Sequence, residues 1–272
     1  MLQNGPISVA LLLHKLLVTM SKKYLLPLFA LAAVTAQANP AGGDGLSIGL
    51  NFGANEANGS IASGVTAGVV PHANWNNLSG NNGTAAGLTA DNSGSAMTTS
   101  ASVTWSSPNT WSSTGRGEEN NGFADGGDRT ILTGYIDTGD NTANAATVTI
   151  SGLGSEFTSG GYEVYVYALG GVAGRGGAYS IGSQLLKGTS PANPSGHVQD
   201  AGVDLTDTGT YLRFVGLTDS SFTLVANADA SLGGNFRAPI NAIQIVAVPE
   251  PSTVGLLALG GTGLLMLVRR RK

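Results

Sequence analysis

Between residues 45 and 246 no segment keeps the spacing of three to four residues that an amphipathic helix needs. Apolar side chains come instead in short runs with a period of two. In residues 146–153, Val148 and Ile150 face one way and Thr147 and Thr149 the other. In residues 221–227, Phe222, Leu224 and Ala226 alternate with Thr223 and Val225. This is the pattern of a strand with one buried face. Similar runs occupy 46–52, 101–107, 130–138, 161–169, 177–182, 211–217 and 240–248, nearly all bounded by Gly, Asn, Asp or Ser. The run YEVYVYA is apolar or aromatic almost throughout, which places it centrally in a sheet. Some nine short strands in roughly 200 residues predict an all-β fold, a two-sheet antiparallel β-sandwich of jelly-roll type. No repeat of fixed period favours a solenoid. Residues 80–97 and 186–202 read as long loops, and loops on a sandwich are where binding usually sits.

Composition narrows the function. The chain of 272 residues has 41 glycines, no cysteine, 11% charged residues and a formal net charge of −4. The absence of cysteine excludes disulfides, thiol catalysis and thiolate metal sites. No basic footprint for nucleic acid is visible.

The two ends read as addresses. From Met20, Lys22 and Lys23 form a positive region, residues 24–34 an apolar one, and Ala36-Gln37-Ala38 a small-x-small cleavage site. Cleavage by signal peptidase is expected between Ala38 and Asn39. A complete signal peptide at 20–38 makes residues 1–19 a misplaced start. At the other end, residues 254–268 are uncharged and apolar or small. As a helix they would rise about 22 Å, short of a hydrocarbon core of about 30 Å. Arg269, Arg270, Arg271 and Lys272 follow at once and hold that end on the cytoplasmic side. A signal helix and a single C-terminal transmembrane helix thus flank an exported domain at 39–247.

Val248-Pro249-Glu250-Pro251, then a short apolar span and a basic end, resembles the PEP-CTERM sorting signal of Gram-negative bacteria. The resemblance covers residues 248–272. It implies recognition by an exosortase, a membrane-embedded transpeptidase-like enzyme, with the tail removed near the Pro-Glu-Pro. The same tail has carried the label of an ice-binding protein C-terminal domain. GLNFGAN (49–55), VTWSS (103–107), GYEVYVYALGG (161–171) and RAPINAIQIVAVPEPS (237–252) resemble other exported proteins with this tail. These phrases imply a fold and bring no catalytic residues.

Within the exported domain the chemical signals are sparse. His72 and His197 lie in polar, loop-like contexts without metal spacing, and no nucleophile elbow is present. Glu118, Glu119, Asp125 and Asp128 could supply a glycosidase pair, which needs a set separation. Asp125, Asp128, Asp137 and Asp140 are weak candidates for Ca²⁺, since Gly-flanked acids on loops bind it through mixed oxygen ligands. Trp75 and Trp111 could stack on sugars, although core packing is the commoner use of tryptophan.

The expectation is a non-catalytic exported surface or matrix protein, tethered at the inner membrane before processing and then released to extracellular polysaccharide. A carbohydrate-binding module is the alternative, and a glycan-active hydrolase or an ice-binding protein ranks below it. Ice binding needs a flat Thr array, and the threonines look scattered among unlike strands. N-terminal sequencing of the exported form should begin at Asn39; a product retaining Lys22 and Lys23 would refute the cleavage assignment.

Overall fold

The computed structural model describes residues 45–249. The proposed start, the signal peptide with Ala36, Ala38 and Asn39, the span at 254–268, Glu250, Pro251 and the basic end Arg269–Lys272 lie outside the described residues. Among the described residues no helix is long and apolar enough to cross a membrane.

Strand follows strand along the chain. They are β1 (Leu46–Phe52), β2 (Asn76–Leu78), β3 (Asn82–Ala86), β4 (Thr89–Asn92), β5 (Ser95–Thr98), β6 (Ser102–Ser106), β7 (Asn109–Ser112) and β8 (Gly134–Asp137). Then come β9 (Ala145–Ser151), β10 (Tyr162–Tyr167), β11 (Gly176–Ile181), β12 (Gln184–Thr189), β13 (Tyr211–Leu217), β14 (Phe222–Ala228) and β15 (Ala242–Ala247). The helices are short: α1 (Gly127–Ile131), α2 (Ser155–Thr158) and a 3₁₀ segment at Ala230–Asn235. One sheet runs β13-β10-β15-β1-β4-β5, with β2 added parallel to β1. The second runs β12-β11-β14-β9-β6-β3. All other pairs in the two sheets are antiparallel, and β7 and β8 form a separate two-stranded antiparallel sheet.

The period-two residues explain why the sheets face each other. Val103, Val148, Ile150, Leu224 and Ala226 of the six-stranded sheet meet Ile48, Leu50, Val164, Val166, Ile243 and Ile245 of the other in one core. Each fully buried side chain of this kind contributes about 1.5–3 kcal/mol. The result is a two-sheet sandwich.

β10 and β15 are buried at every position, and β1 at all but its first. Their second face is covered by connecting segments, which build a second apolar cluster around Trp75, Phe123, Tyr165 and Tyr167. Buried polar side chains peg this cover down. Gln244 donates to the Val70 carbonyl (2.6 Å) and accepts from the Tyr167 hydroxyl (2.9 Å). Asn241, just before β15, donates to the carbonyls of Leu132 and Gly134 (both 3.1 Å) and accepts from Leu169 N–H (2.6 Å). Gly49 of β1 makes room for the cover: a Cβ there would lie 2.6 Å from the Trp75 ring and 2.7 Å from His72.

Three expectations need correction. Residues 80–97 are not a loop but hold β3, β4 and most of β5. These strands are rich in Asn, Gly, Ser, Thr and Ala, with β3 and β5 largely exposed and β4 burying only Ala90 and Asp91, so they lack the apolar alternation that marks a half-buried strand. Their pairing with β6 and β1 supplies the order. Residues 130–138 split into the end of α1 and β8. The loop placed at 186–202 begins inside β12, and only its later part is irregular. Asn241→Ala would strand two buried carbonyls and one buried N–H, and should lower the unfolding free energy by about 3 kcal/mol in urea titration.

Candidate binding face

The outer face of the six-stranded sheet is built from the residues that alternate with the core. The register aligns Thr84 with Thr104, Thr104 with Thr149 and Thr149 with Thr223. Four threonines therefore form one row across β3, β6, β9 and β14. Their hydroxyls pair in two places, Thr84 with Thr104 (3.1 Å) and Thr149 with Thr223 (2.9 Å). A second row holds Asn82, Ser106, Thr147, Val225 and Ser180. Neighbouring strands stand about 4.8 Å apart, and outward residues recur every ~6.7 Å along a strand. No charged residue occurs in β3, β6, β9 or β14. Lys187 of β12 projects at the margin and pairs with Asp229 at 3.2 Å. The face is a lattice of hydroxyls and methyls that can exchange hydrogen bonds with a neutral, hydroxyl-bearing surface.

The expectation of scattered threonines is thus wrong. Period two puts Thr147, Thr149 and Thr223 on outward faces, but their alignment depends on strand register. Thr84 escapes a reading of the sequence because β3 lies in a stretch without apolar alternation, whereas Thr104 lies in a run that reads as a strand and only the register joins it to the row.

The expected sugar platforms are placed elsewhere. Trp75 is buried on the cover of the other sheet, where its indole N–H donates to the His72 carbonyl (2.9 Å) and its ring meets Tyr167 edge-on. Trp111 on β7 is half-buried, and the Arg116 guanidinium sits 4.6 Å above its ring. Arg116 also pairs with Glu56 at 3.0 Å. The Trp75 indole is thus buried, and one side of the Trp111 ring carries the Arg116 guanidinium.

His197 lies in an irregular segment as its context suggests, whereas His72 forms an isolated bridge with Ala67. His72 is fully buried, with Nδ1 2.6 Å from the Ser47 hydroxyl. Burial pulls its pKa down to about 4, against a smaller upward pull from Asp91. His197 lies among the rings of Phe123, Tyr167 and Tyr211, with Nε2 3.1 Å from Asp128. Asp128 also accepts from Gly68 N–H (2.7 Å). Burial raises the Asp128 carboxyl, but the bonds from His197 and Gly68 outweigh it and hold it below the usual range. His197 thereby ties the segment after β12 to α1.

The remaining acids have separate partners. Glu118 forms a two-pronged pair with Arg175 (2.5 and 2.8 Å), and Arg175 also donates to the Tyr135 hydroxyl (2.9 Å). Glu119 accepts from the Thr114 hydroxyl and Gly115 N–H. Asp125 is exposed beside Arg129 (3.6 Å), and Asp140 is exposed. Asp137 is buried; burial raises its carboxyl, against a bond from Gly139 N–H. Its Oδ2 lies 3.7 Å from Arg237. Glu118, Glu119, Asp125, Asp128 and Asp137 are thus each engaged with a neighbouring donor or cation. Among the described residues no three His, Cys, Asp or Glu side chains gather as metal ligands would.

Val248 and Pro249 end the described fold and are exposed, and Val248 N–H still donates to the Gly161 carbonyl (2.9 Å). From there the chain enters its tail, and residues 247–272 match the family model of the PEP-CTERM protein-sorting motif. The chain carries a PEP-CTERM sorting motif. It is exported and sorted, and an exosortase is its processing partner on the way to the cell surface. No curated protein and no solved structure matches the chain. The sorting motif of this protein therefore starts where its central strand stops.

A histidine with a folded pKa near 4 and an unfolded one near 6.5 binds its proton more readily in the unfolded chain. Its contribution to stability is complete above about pH 6.5, falls as pH drops toward 4, and amounts to about 3 kcal/mol. His72→Gln should flatten this part of the stability curve measured by urea unfolding from pH 7 to 4. An unchanged slope would show that His72 does not titrate with unfolding.

Proposed function

We propose that this exported protein is a non-catalytic component of the cell surface or extracellular matrix, and that it holds neutral polysaccharide on the outer face of its six-stranded sheet. The observation that carries the reading is the charge-free hydroxyl lattice around Thr84, Thr104, Thr149 and Thr223. Single hydrogen bonds to sugar hydroxyls are weak, but a polymer meets many along a sheet, and repeated contacts add avidity. The pairing of Glu118 with Arg175 favours a structural role for that acid over a hydrolytic one.

We read the winding as a jelly roll. β1-β15-β10-β13 faces β9-β14-β11-β12, and consecutive strands from β9 cross repeatedly between the sheets. In this reading β2–β8 are an insertion between the first two strands of the roll. A signal peptide at 20–38 starts export. The apolar span at 254–268 tethers the chain in the inner membrane until the exosortase acts.

The threonine row favours a second reading, the binding of ice. Ice also presents a regular neutral lattice of hydrogen-bonding groups, and the row supplies aligned hydroxyls and methyls. Thr104→Lys with Thr149→Lys discriminates. The double variant should keep its unfolding midpoint and lose at least tenfold in co-sedimentation with matrix polysaccharide. If polysaccharide binding is absent in the unsubstituted protein but ice crystals are shaped by it and not by the variant, the ice reading replaces the first. Equal binding to polysaccharide by both proteins would remove the face from its proposed role.

A further inference from the structure

The point where the tail leaves the fold has its own surface. A groove of about 480 Å³ opens there, with Leu46, Ser155, Glu156, Ser159, Val248 and Pro249 in its lining. It lies between the start of β1, α2 and the end of β15. Two of these residues, Val248 and Pro249, belong to the sorting motif itself. A protein that grips the motif from its first residue meets the groove as part of the same surface.

The fold limits what a processing enzyme can reach. β15 is paired on both sides, to β1 and to β10, and Ala247 still faces Tyr162 in register. Val248 is held by the Gly161 carbonyl (2.9 Å). Drawing residues before Val248 into an extended cleft would break two ladders and expose Ile243, Ile245 and Val246. The readable strip starts at Val248.

The strip is also short. Six residue steps separate Val248 from Val254, where the apolar run begins. Fully extended, they span at most about 20–22 Å. A membrane-embedded enzyme that closes on Pro249–Pro251 has no room to work clear of the folded domain. Its surface must lie against the end of the sandwich that carries α2.

We propose that this groove is a docking surface for the exosortase, and that the enzyme recognises the sorting motif together with the folded end of its substrate. The inference rests on the exosortase reading of the tail. Glu156 is the charged side chain of the lining, and it is exposed. Glu250 follows Pro249 in the motif, so the enzyme's contacting rim is basic.

The test follows tail removal in cells that contain the exosortase, by pulse-chase and mass spectrometry of the full chain. Glu156→Arg with Ser159→Arg should slow removal about tenfold and leave the unfolding midpoint unchanged. A flexible Gly-Ser linker of about twelve residues between Val248 and Pro249 separates motif from groove. It should slow the unsubstituted protein to the same degree and make the groove substitutions silent. Removal at the full rate in the groove variant, or in the linker variant, would overturn docking. Deletion of residues 249–272 separates the two claims: unchanged localisation after deletion refutes sorting itself, whereas tail-dependent sorting that ignores Glu156 and the linker refutes docking alone.

Discussion

A β-strand in the middle of a sheet must bury both of its faces or expose one to water. β15 and β10 bury both, and the rest of the structure depends on how the outer face is closed. Inward, Ile243, Ile245, Val164 and Val166 join the core between the sheets. Outward, the cover brings backbone carbonyls and N–H groups against the sheet, and these need partners away from water. Asn241, Gln244 and Tyr167 provide them. The polar positions inside an otherwise apolar strand are therefore anchoring points for the segments that cross it.

That closure makes the two sheets unequal. The seven-stranded sheet spends its outer face on its own connections, and His72, Trp75 and His197 become packing residues there. Among the described residues nothing comparable covers the outer face of the six-stranded sheet, where Thr84, Thr104 and Thr223 are exposed. Chemistry divides in the same way. His72, whose pKa burial pulls down to about 4, lies buried under the connections. The open sheet offers neutral hydroxyls.

Much of the fold was legible in residue alternation. The runs containing β1, β9, β10, β13, β14 and β15 are visible because one or both faces are apolar. β3, β4 and β5 were not, because their order comes from pairing and their side chains are mostly small or polar. Trp75 could be weighed only as core or ligand, since the loop-like sequence around it does not reveal that Gly49 leaves space for its ring. The acids of 118–128 look like a cluster along the chain, yet Glu118 turns to Arg175 and Asp128 to His197.

What the sequence by itself determined is local or linear. The alternation sets strand type, and the order of Pro-Glu-Pro, apolar run and basic end sets the sorting address. These signals survive in one dimension because they depend on neighbours a few residues apart. Only the tertiary structure decided which threonines stand in one row, which tryptophans are buried, and that the sorting motif leaves directly from a central strand. Those facts depend on register and on contacts between residues far apart in the chain, such as Thr149 with Thr223 and Gln244 with Val70. A shift of one residue in pairing would turn the threonine face into the core.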